Sequence, residues 1–227
     1  MHHYAIIVAG GSGSRMGNTT AKQFLPLQGK PLLMYSISAF QSVNYKVTVI
    51  LVLPKESITY WKNLCSEHNF QLEHHLIEGG RSRFQSVKNG ITFIHKNFPL
   101  KEEDLIAVHD GARPLIKSST ITKCFEKCAA KKAVVLASRS TNSIRLGTKE
   151  KSTHTDRSTV WNVQTPQVFQ AGLLLNAYQQ EEKEIFTDDA SVVESTGENI
   201  YLLESEEPNI KITFPQDIVI AESLLTK

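Results

Sequence analysis

The residues best equipped for chemistry are charged groups set in and just after glycine-rich turns. Ala9-Gly10-Gly11-Ser12-Gly13-Ser14-Arg15-Met16-Gly17, followed by Ala21-Lys22-Gln23, packs four glycines, an arginine and a lysine into one short stretch. Glycine carries no side chain to keep an anion away, so the backbone N–H groups of such a loop can approach phosphate oxygens closely. Arg15 and Lys22 add fixed positive charge beside them, and the combination reads as a cradle for a nucleoside triphosphate. It is not the dinucleotide fingerprint, because the position three after Gly13 is Met16. It is not a Walker A loop either: Gly29-Lys30 is followed by Pro31, and Phe24 stands where the first glycine belongs. An ordinary strand-to-helix turn is the plainer alternative.

Further clusters belong with this loop. Glu78-Gly79-Gly80-Arg81-Ser82-Arg83 joins a strand to a helix that continues through Ser86. Its glycines can hold a base and ribose through backbone groups, with Ser86 as a hydroxyl contact; alone, it also suits a helix entry with surface arginines. Val108-His109-Asp110-Gly111-Ala112-Arg113-Pro114 puts a carboxylate just beyond a strand and an arginine on the same turn. Such a carboxylate orients a hydroxyl or Mg²⁺ near phosphates, or simply satisfies backbone N–H groups in the turn. Thr187-Asp188-Asp189-Ala190-Ser191 reads first as a helix N-cap with acidic residues in the opening turn. Asn209-Ile210-Lys211-Ile212-Thr213 sets a lysine within an apolar alternation, as a strand whose lysine faces solvent or enters the site. These signals converge on transfer between phosphates. Arg15, Lys22 and Lys211 would neutralise charge building on an attacked α-phosphate, while Mg²⁺ bridges the triphosphate oxygens. Positioning and electrostatics do most of the work in such chemistry.

The elements that must position these groups alternate. An apolar run over Tyr4–Val8 has the composition of a short buried strand. Leu33, Ile37 and Phe40 share a helix face, with Pro31 just inside the helix start. A strand over Lys46–Leu53, a helix around Ser57–His68 and a strand over Leu72–Glu78 follow. Phe84, Val87, Ile91 and Ile94 make a second helix stripe, then come a strand at Leu105–His109, a helix at Ser118–Lys131 and a strand at Ala133–Ser138. This alternation predicts an α/β fold with a mostly parallel sheet and helices on both faces. Ligands in such sheets sit beyond the carboxyl ends of the strands, where the glycine loop, the Gly79-Gly80 turn and Asp110 all fall. From Arg139 to about Val160 the chain is dense in Ser and Thr and poor in apolar residues. It cannot bury a face of its own and is read as a protruding arm or hairpin resting on a second subunit, with a surface loop as the alternative. No repeat or linker divides the 227 residues, so a single domain is expected.

Bulk properties narrow the class. A net charge of +2 gives no electrostatic argument for nucleic acid or a membrane surface as partner. No apolar run approaches the roughly 20 residues that span a bilayer, and a strand begins too early for a signal peptide. Cys65, Cys124 and Cys128 lack metal-ligand spacing and read as small buried residues in a reducing cytoplasm.

The motifs AGGSGSRMG, AKQFLPL, EGGRSRFQSV, VHDGARP, TDRSTVWNVQTPQVF, FTDDASVVE and NIKITFPQD, in this order, resemble those of the 2-C-methyl-D-erythritol 4-phosphate cytidylyltransferases nearly end to end. The resemblance implies a Rossmann-like nucleotide-diphospho-sugar transferase fold and a homodimer held partly by an extended β-arm. It implies Mg²⁺-dependent attack of the substrate's phosphate on the α-phosphorus of CTP, releasing pyrophosphate, in non-mevalonate isoprenoid synthesis. Carried over by position, Arg15, Lys22 and Lys211 become catalytic groups. Ala9, Gly10, Gly11, Gly13, Arg15, Lys22, Gly80, Ser86 and Asp110 would hold CTP, and Asp110, Arg113, Ser143, Arg157, Thr165, Thr187 and Lys211 would meet the methylerythritol phosphate. The chain has Asn142-Ser143 where the family's arm offers an Asp-Thr pair, and Arg81 where many relatives carry Asp.

Rival readings differ in what they require. Ribitol-5-phosphate cytidylyltransferases share the glycine loop, the His-Asp turn, the Thr-Pro-Gln stretch and the Asn-Ile-Lys segment. Thr155-Asp156-Arg157 with Trp161, and Thr187-Asp188-Asp189-Ala190-Ser191, look like the methylerythritol enzymes instead. A non-catalytic nucleotide-binding relative would be expected to lack Arg15, Lys22 or Lys211, and all are present. A dinucleotide-dependent dehydrogenase is argued against by the failed fingerprint.

Overall fold

A computed structural model of the chain describes residues 1–11, 21–206 and 208–225. Its centre is a seven-stranded sheet. Strand β1 (His3–Val8) lies in the middle, paired in parallel with β4 (Val47–Leu53) on one side and β6 (Leu105–Asp110) on the other. Beyond β4 comes β5 (His75–Glu78), also parallel. Beyond β6 lies β10 (Trp161–Gln170), which runs antiparallel to β6 and to β7 (Ala133–Arg139); β11 (Tyr201–Glu204) closes the edge, parallel to β7. The expectation of a mostly parallel α/β sheet holds, with β10 as the reversed strand. Two residues each form β2 (Pro26–Leu27) and β3 (Lys30–Pro31), a small antiparallel pair.

Side-chain alternation assigns the helices to faces. Ala5 and Ile7 of β1, with Val49 and Leu51 of β4, pack against α1 (Leu32–Gln41), α2 (Ile58–Glu67) and α4 (Ser118–Lys131) through Leu33, Phe40, Trp61 and Phe125. Tyr4, Ile6 and Val8 of β1 point the other way, onto α3 (Arg83–Asn97), α5 (Ala171–Ala177) and α6 (Asp189–Glu194) through Phe84, Val87, Leu174 and Val192. Strands buried on both sides read as continuous apolar runs, which is why β1 and β4 were legible from composition. Cys124 and Cys128 are buried on α4 as expected, and all three cysteines are free thiols. Burial pushes the Cys65 thiol up to about 11 and the Cys124 thiol up to about 12. The last helix, α7 (Pro215–Leu225), packs Ala221 on a small cluster with Leu25, Leu27 and Leu32.

One local expectation needs correction. Asn209–Thr213 keeps Ile212 buried and Lys211 exposed, as read from sequence, but joins no ladder; its Ile212 N–H donates to Ala112 O at 2.8 Å. The segment 139–160 read as an arm carries a hairpin, β8 (Ile144–Gly147) against β9 (Ser152–Thr155). Leu146 on it is 58% exposed, and no residue of either strand is buried.

Candidate active site

Asp110 ends β6 beside Val8, the last residue of β1, so the two strands deliver a carboxylate and the glycine loop to the same edge. The Gly111 N–H donates to Val8 O at 2.9 Å and Arg113 N–H to Asp110 O at 3.0 Å, closing the turn that holds the carboxylate in place. Behind it, Thr165 Oγ1 accepts the Asp110 N–H at 3.0 Å and lies 3.1 Å from His109 Nδ1. His109 Nε2 sits 3.2 Å from Arg113 O. A carbonyl only accepts, so Nε2 carries the proton and Nδ1 takes the Thr165 hydroxyl hydrogen. His109 is fully buried, and that burial pulls its pKa down to about 4. Thr165 can reach Asp110 because β10 runs antiparallel to β6 with Gln167 against Val108, a register that two residues further on sets Thr165 opposite Asp110. Asn209 completes the frame: its Nδ2 donates to Thr165 O at 2.8 Å, and its carbonyl accepts Arg113 Nη1 at 2.8 Å.

Positive charge surrounds Asp110. Lys211 Nζ lies 2.7 Å from Oδ2, Arg83 Nε 3.5 Å from Oδ1 and Arg113 Nε 3.8 Å from Oδ2. Burial alone would raise the pKa of Asp110, but Arg83, then Lys211 with its hydrogen bond, then Arg113 hold it well below the usual carboxylate range. Arg83 in turn makes a bidentate pair with the fully buried Asp189, Nη1 at 3.0 Å and Nη2 at 2.6 Å. Burial works against the charge of Arg83, yet Asp189 and Asp110 together raise its pKa.

These groups edge a cleft of about 320 Å³, within the roughly 300–1,000 Å³ usual for small-ligand sites. Ala9, Gly10, Gly11 and Lys22 wall one side, Gly79, Gly80 and Ser86 another, with Asp110 and Lys211 at the junction. A Cβ added at Gly11 would stand 3.4 Å from Lys22 Cε and 3.9 Å from Nζ, so the lysine lies along bare loop backbone. Gln23, almost fully buried, ties that loop down by donating from Nε2 to Ala9 O at 2.7 Å. Across the cleft, Ser86 Oγ accepts the Gly80 N–H at 3.1 Å and donates to Ser82 O at 2.9 Å. Ser82 caps α3 by accepting the Gln85 N–H at 3.0 Å, which fixes the glycine turn on the helix start.

The residues expected from sequence divide into groups. Ala9, Gly10, Gly11, Lys22, Gly80, Ser86, Asp110 and Lys211 line one cleft, and Arg113 and Thr165 stand directly behind Asp110. Lys211 enters the site rather than facing away from it. Gly13 and Arg15 lie outside the described residues. Ser143, Arg157 and Thr187 are exposed and do not line this cleft; Arg157 Nη1 donates to Thr141 O at 3.1 Å on the arm. Of the two arginines read as a surface pair, Arg81 is exposed, whereas Arg83 is an internal ion-pair partner. Asp188 is the N-cap as expected, with a capping box to Ser191, but Asp189 is the counterion of Arg83 rather than a solvated first-turn acid. Sequence offered no signal for that pair, since each half fits a helix start.

No group of three or more His, Cys, Asp and Glu suited to a metal ion occurs among the described residues. Asp110 is the one carboxylate among the described residues lining the cleft. That suits Mg²⁺ arriving on a nucleotide, because the ion keeps waters and binds through one or two carboxylates plus substrate phosphates.

A family model described as 2-C-methyl-D-erythritol 4-phosphate cytidylyltransferase matches residues 3–227. A protein of that name from Phocaeicola vulgatus is 45% identical over 225 residues, covering 99% of this chain and all of the relative. One from Azobacteroides pseudotrichonymphae is 46% identical over 224 residues, covering 98% of each. The crystal structure of 4-diphosphocytidyl-2C-methyl-D-erythritol synthase from Anaerococcus prevotii superposes with a TM-score of 0.81 at 26% identity, covering all of this chain and 96% of that one. The Thermus thermophilus 2-C-methyl-D-erythritol 4-phosphate cytidylyltransferase gives 0.77 at 27% identity, with both chains fully covered.

Proposed function

The chain belongs to the 2-C-methyl-D-erythritol 4-phosphate cytidylyltransferase family, and we propose that its cleft transfers the cytidylyl group of CTP to 2-C-methyl-D-erythritol 4-phosphate. The observation that carries this reading beyond family membership is the Lys211–Asp110 contact at 2.7 Å, set where the glycine loop and the Gly80 turn meet. A phosphate oxygen of the sugar phosphate attacks the α-phosphorus of CTP. The new P–O bond forms as the bond from the α-phosphorus to the oxygen bridging the β-phosphorus breaks. Pyrophosphate leaves with that oxygen, and 4-diphosphocytidyl-2-C-methyl-D-erythritol remains.

Each residue has a share. Backbone groups of Ala9, Gly10, Gly11 and Gly13 hold the phosphates, and Gly80 and Ser86 hold the base and ribose. Lys22 and Arg15 stabilise the charge that grows on the α-phosphate, where aimed donors in a dry site are worth most. Asp110, already ionised, accepts hydroxyl hydrogens, and Lys211 moves between it and the incoming phosphate. Arg113, Thr165 and Thr187 complete the sugar-phosphate side. Thr165 has its hydroxyl hydrogen on His109 and one lone pair on the Asp110 N–H, which leaves one lone pair for a ligand. Asp110, the one carboxylate among the described residues lining the cleft, would help hold a Mg²⁺ ion brought by the nucleotide, and that ion would supply charge neutralisation to the phosphates.

Ser143 and Arg157 sit on an arm that does not line its own chain's cleft. Both act in a homodimer in which the exposed hairpin reaches the cleft of a second copy. The chain forms one domain, works in the cytoplasm, where its three free thiols stay reduced, and needs neither nucleic acid nor membrane as a partner.

The test is pyrophosphate release with CTP and Mg²⁺, comparing 2-C-methyl-D-erythritol 4-phosphate with ribitol 5-phosphate. Release with the first alone is expected. Release with the second alone would assign the site to the ribitol reaction, and release with neither would make the cleft a nucleotide-binding site without transfer.

A further inference from the structure

The transfer leaves Asp189, a buried charge beside the cleft, without a task. Asp189 is fully buried at the start of α6, yet the capping of that helix belongs to Asp188. Asp189 instead accepts both Nη groups of Arg83 and, on Oδ1, the Tyr178 hydroxyl at 2.6 Å. Burying a carboxylate is costly before pairing, and this one is paired with an arginine that itself lines the cleft.

With its fork on Asp189, the Arg83 guanidinium offers Asp110 only its Nε, and at 3.5 Å. Asp110 Oδ2 therefore keeps Lys211 at 2.7 Å as its close partner, with Arg113 Nε farther off at 3.8 Å. Two-pronged arginine–carboxylate pairs are stronger than single contacts. An Arg83 released from Asp189 would turn its fork onto the nearest remaining carboxylate, Asp110. The same anchor reaches the sugar-phosphate side, since Asp189 follows Thr187 by two residues. Gln167 pins that turn to β10 by donating to Asp188 Oδ2 at 2.8 Å and accepting the Ala190 N–H at 2.8 Å.

We propose that Asp189 is a positioning residue for the transfer, occupying the forked edge of Arg83 so that Asp110 and Lys211 stay open to the substrates. This rests on the reading in which Asp110 and Lys211 meet those substrates. Arg83 is then a restrained competitor for Asp110, and Tyr178 holds the restraint in place.

The experiment is steady-state pyrophosphate release by the full chain with CTP, Mg²⁺ and 2-C-methyl-D-erythritol 4-phosphate, normalised to folded protein and run below each variant's melting temperature. Asp189→Asn is expected to lower kcat at least tenfold while the KM for CTP changes less than threefold. Adding Arg83→Gln to Asp189→Asn removes the competitor and is expected to restore kcat at least fivefold over Asp189→Asn alone. A role in stability alone would not give that recovery per folded molecule, and a double variant no faster than Asp189→Asn overturns the proposal. If Asp189→Asn does not fold, Tyr178→Phe keeps both charges and loosens the restraint; a two- to fivefold fall in kcat is expected, and an unchanged kcat overturns the proposal. No release by the unmutated chain overturns the reading beneath it, whereas normal release by both the unmutated chain and Asp189→Asn overturns this inference alone.

Discussion

Lys211 Nζ and Asp110 Oδ2 meet at 2.7 Å although one residue ends a central strand and the other lies in an extended segment outside the sheet. The contact is built by backbone: Ile212 N–H on Ala112 O fixes the segment against the Asp110 turn, and the Asn209 carbonyl on Arg113 fixes it again. Lys211→Ala removes the ammonium and leaves Asp110 with Arg83 and Arg113. We expect kcat/KM for 2-C-methyl-D-erythritol 4-phosphate to fall about 100-fold, ~2.7 kcal/mol of transition-state stabilisation, with unchanged far-UV circular dichroism. A loss below threefold would remove Lys211 from the mechanism.

Lys22 lies along the Gly11 backbone at the wall of the cleft, where the proposed reading puts the phosphates. Its contact should strengthen as the α-phosphate becomes five-coordinate, so Lys22→Ala should lower kcat by orders of magnitude and leave CTP binding measurable by calorimetry. Near-normal turnover would contradict the assigned role.

Arg157 belongs to the arm and Lys22 to the cleft, which permits a complementation test. Arg157→Ala should raise the KM for the sugar phosphate about tenfold and leave that for CTP unchanged. Mixing Arg157→Ala and Lys22→Ala chains should yield heterodimers in which one cleft has both residues, and activity above either variant alone. A selective rise in the KM for CTP would put Arg157 on the other ligand, and no complementation would return the arm to its own chain.

Gly80 faces α3 so closely that a methyl there would overlap Cβ and Cγ of Gln85 and come within 3.1 Å of its backbone carbonyl carbon. Gly80→Ala should shift the turn off Ser86 and raise the KM for CTP more than that for the sugar phosphate, read from paired saturation curves. An equal rise in both would show that the turn serves the whole site.

His109 gives stability a pH dependence. Its pKa falls from 6.5 in the unfolded chain to about 4 in the fold, chiefly through burial. Between those values the unfolded chain binds more protons, so stability is present above 6.5 and is lost as pH falls toward 4, by roughly 3 kcal/mol at most. Melting temperature measured from pH 7.5 to 4.5 should fall, and His109→Gln should flatten that slope. An equal slope in the variant would assign the effect to other groups.

The readable parts of this protein were those whose meaning is local. Asp110 could be found because it follows an apolar run, and the Gly10-Gly11 and Gly79-Gly80 turns because each leaves a strand. Period-two burial named Ile212 correctly, but alternation does not reveal whether a ladder partner exists, and Asn209–Thr213 has none. Arg83 and Asp189 were opaque because each suits a helix start and only the packing of α3 beside α6 makes them partners. The place of His109 behind Asp110 could not be read because it depends on β10 running antiparallel to β6 and setting Thr165 against it, a reversal that strand–helix alternation does not predict.

The most direct test of phosphate-on-phosphate attack is to supply 2-C-methyl-D-erythritol 4-phosphate with ¹⁸O in its phosphate and follow the label by ³¹P NMR and mass spectrometry. The account predicts a cytidine diphosphate product with ¹⁸O in the bridge between its two phosphorus atoms and pyrophosphate free of label. Label in the released pyrophosphate, or a product without the diphosphate bridge, would contradict it.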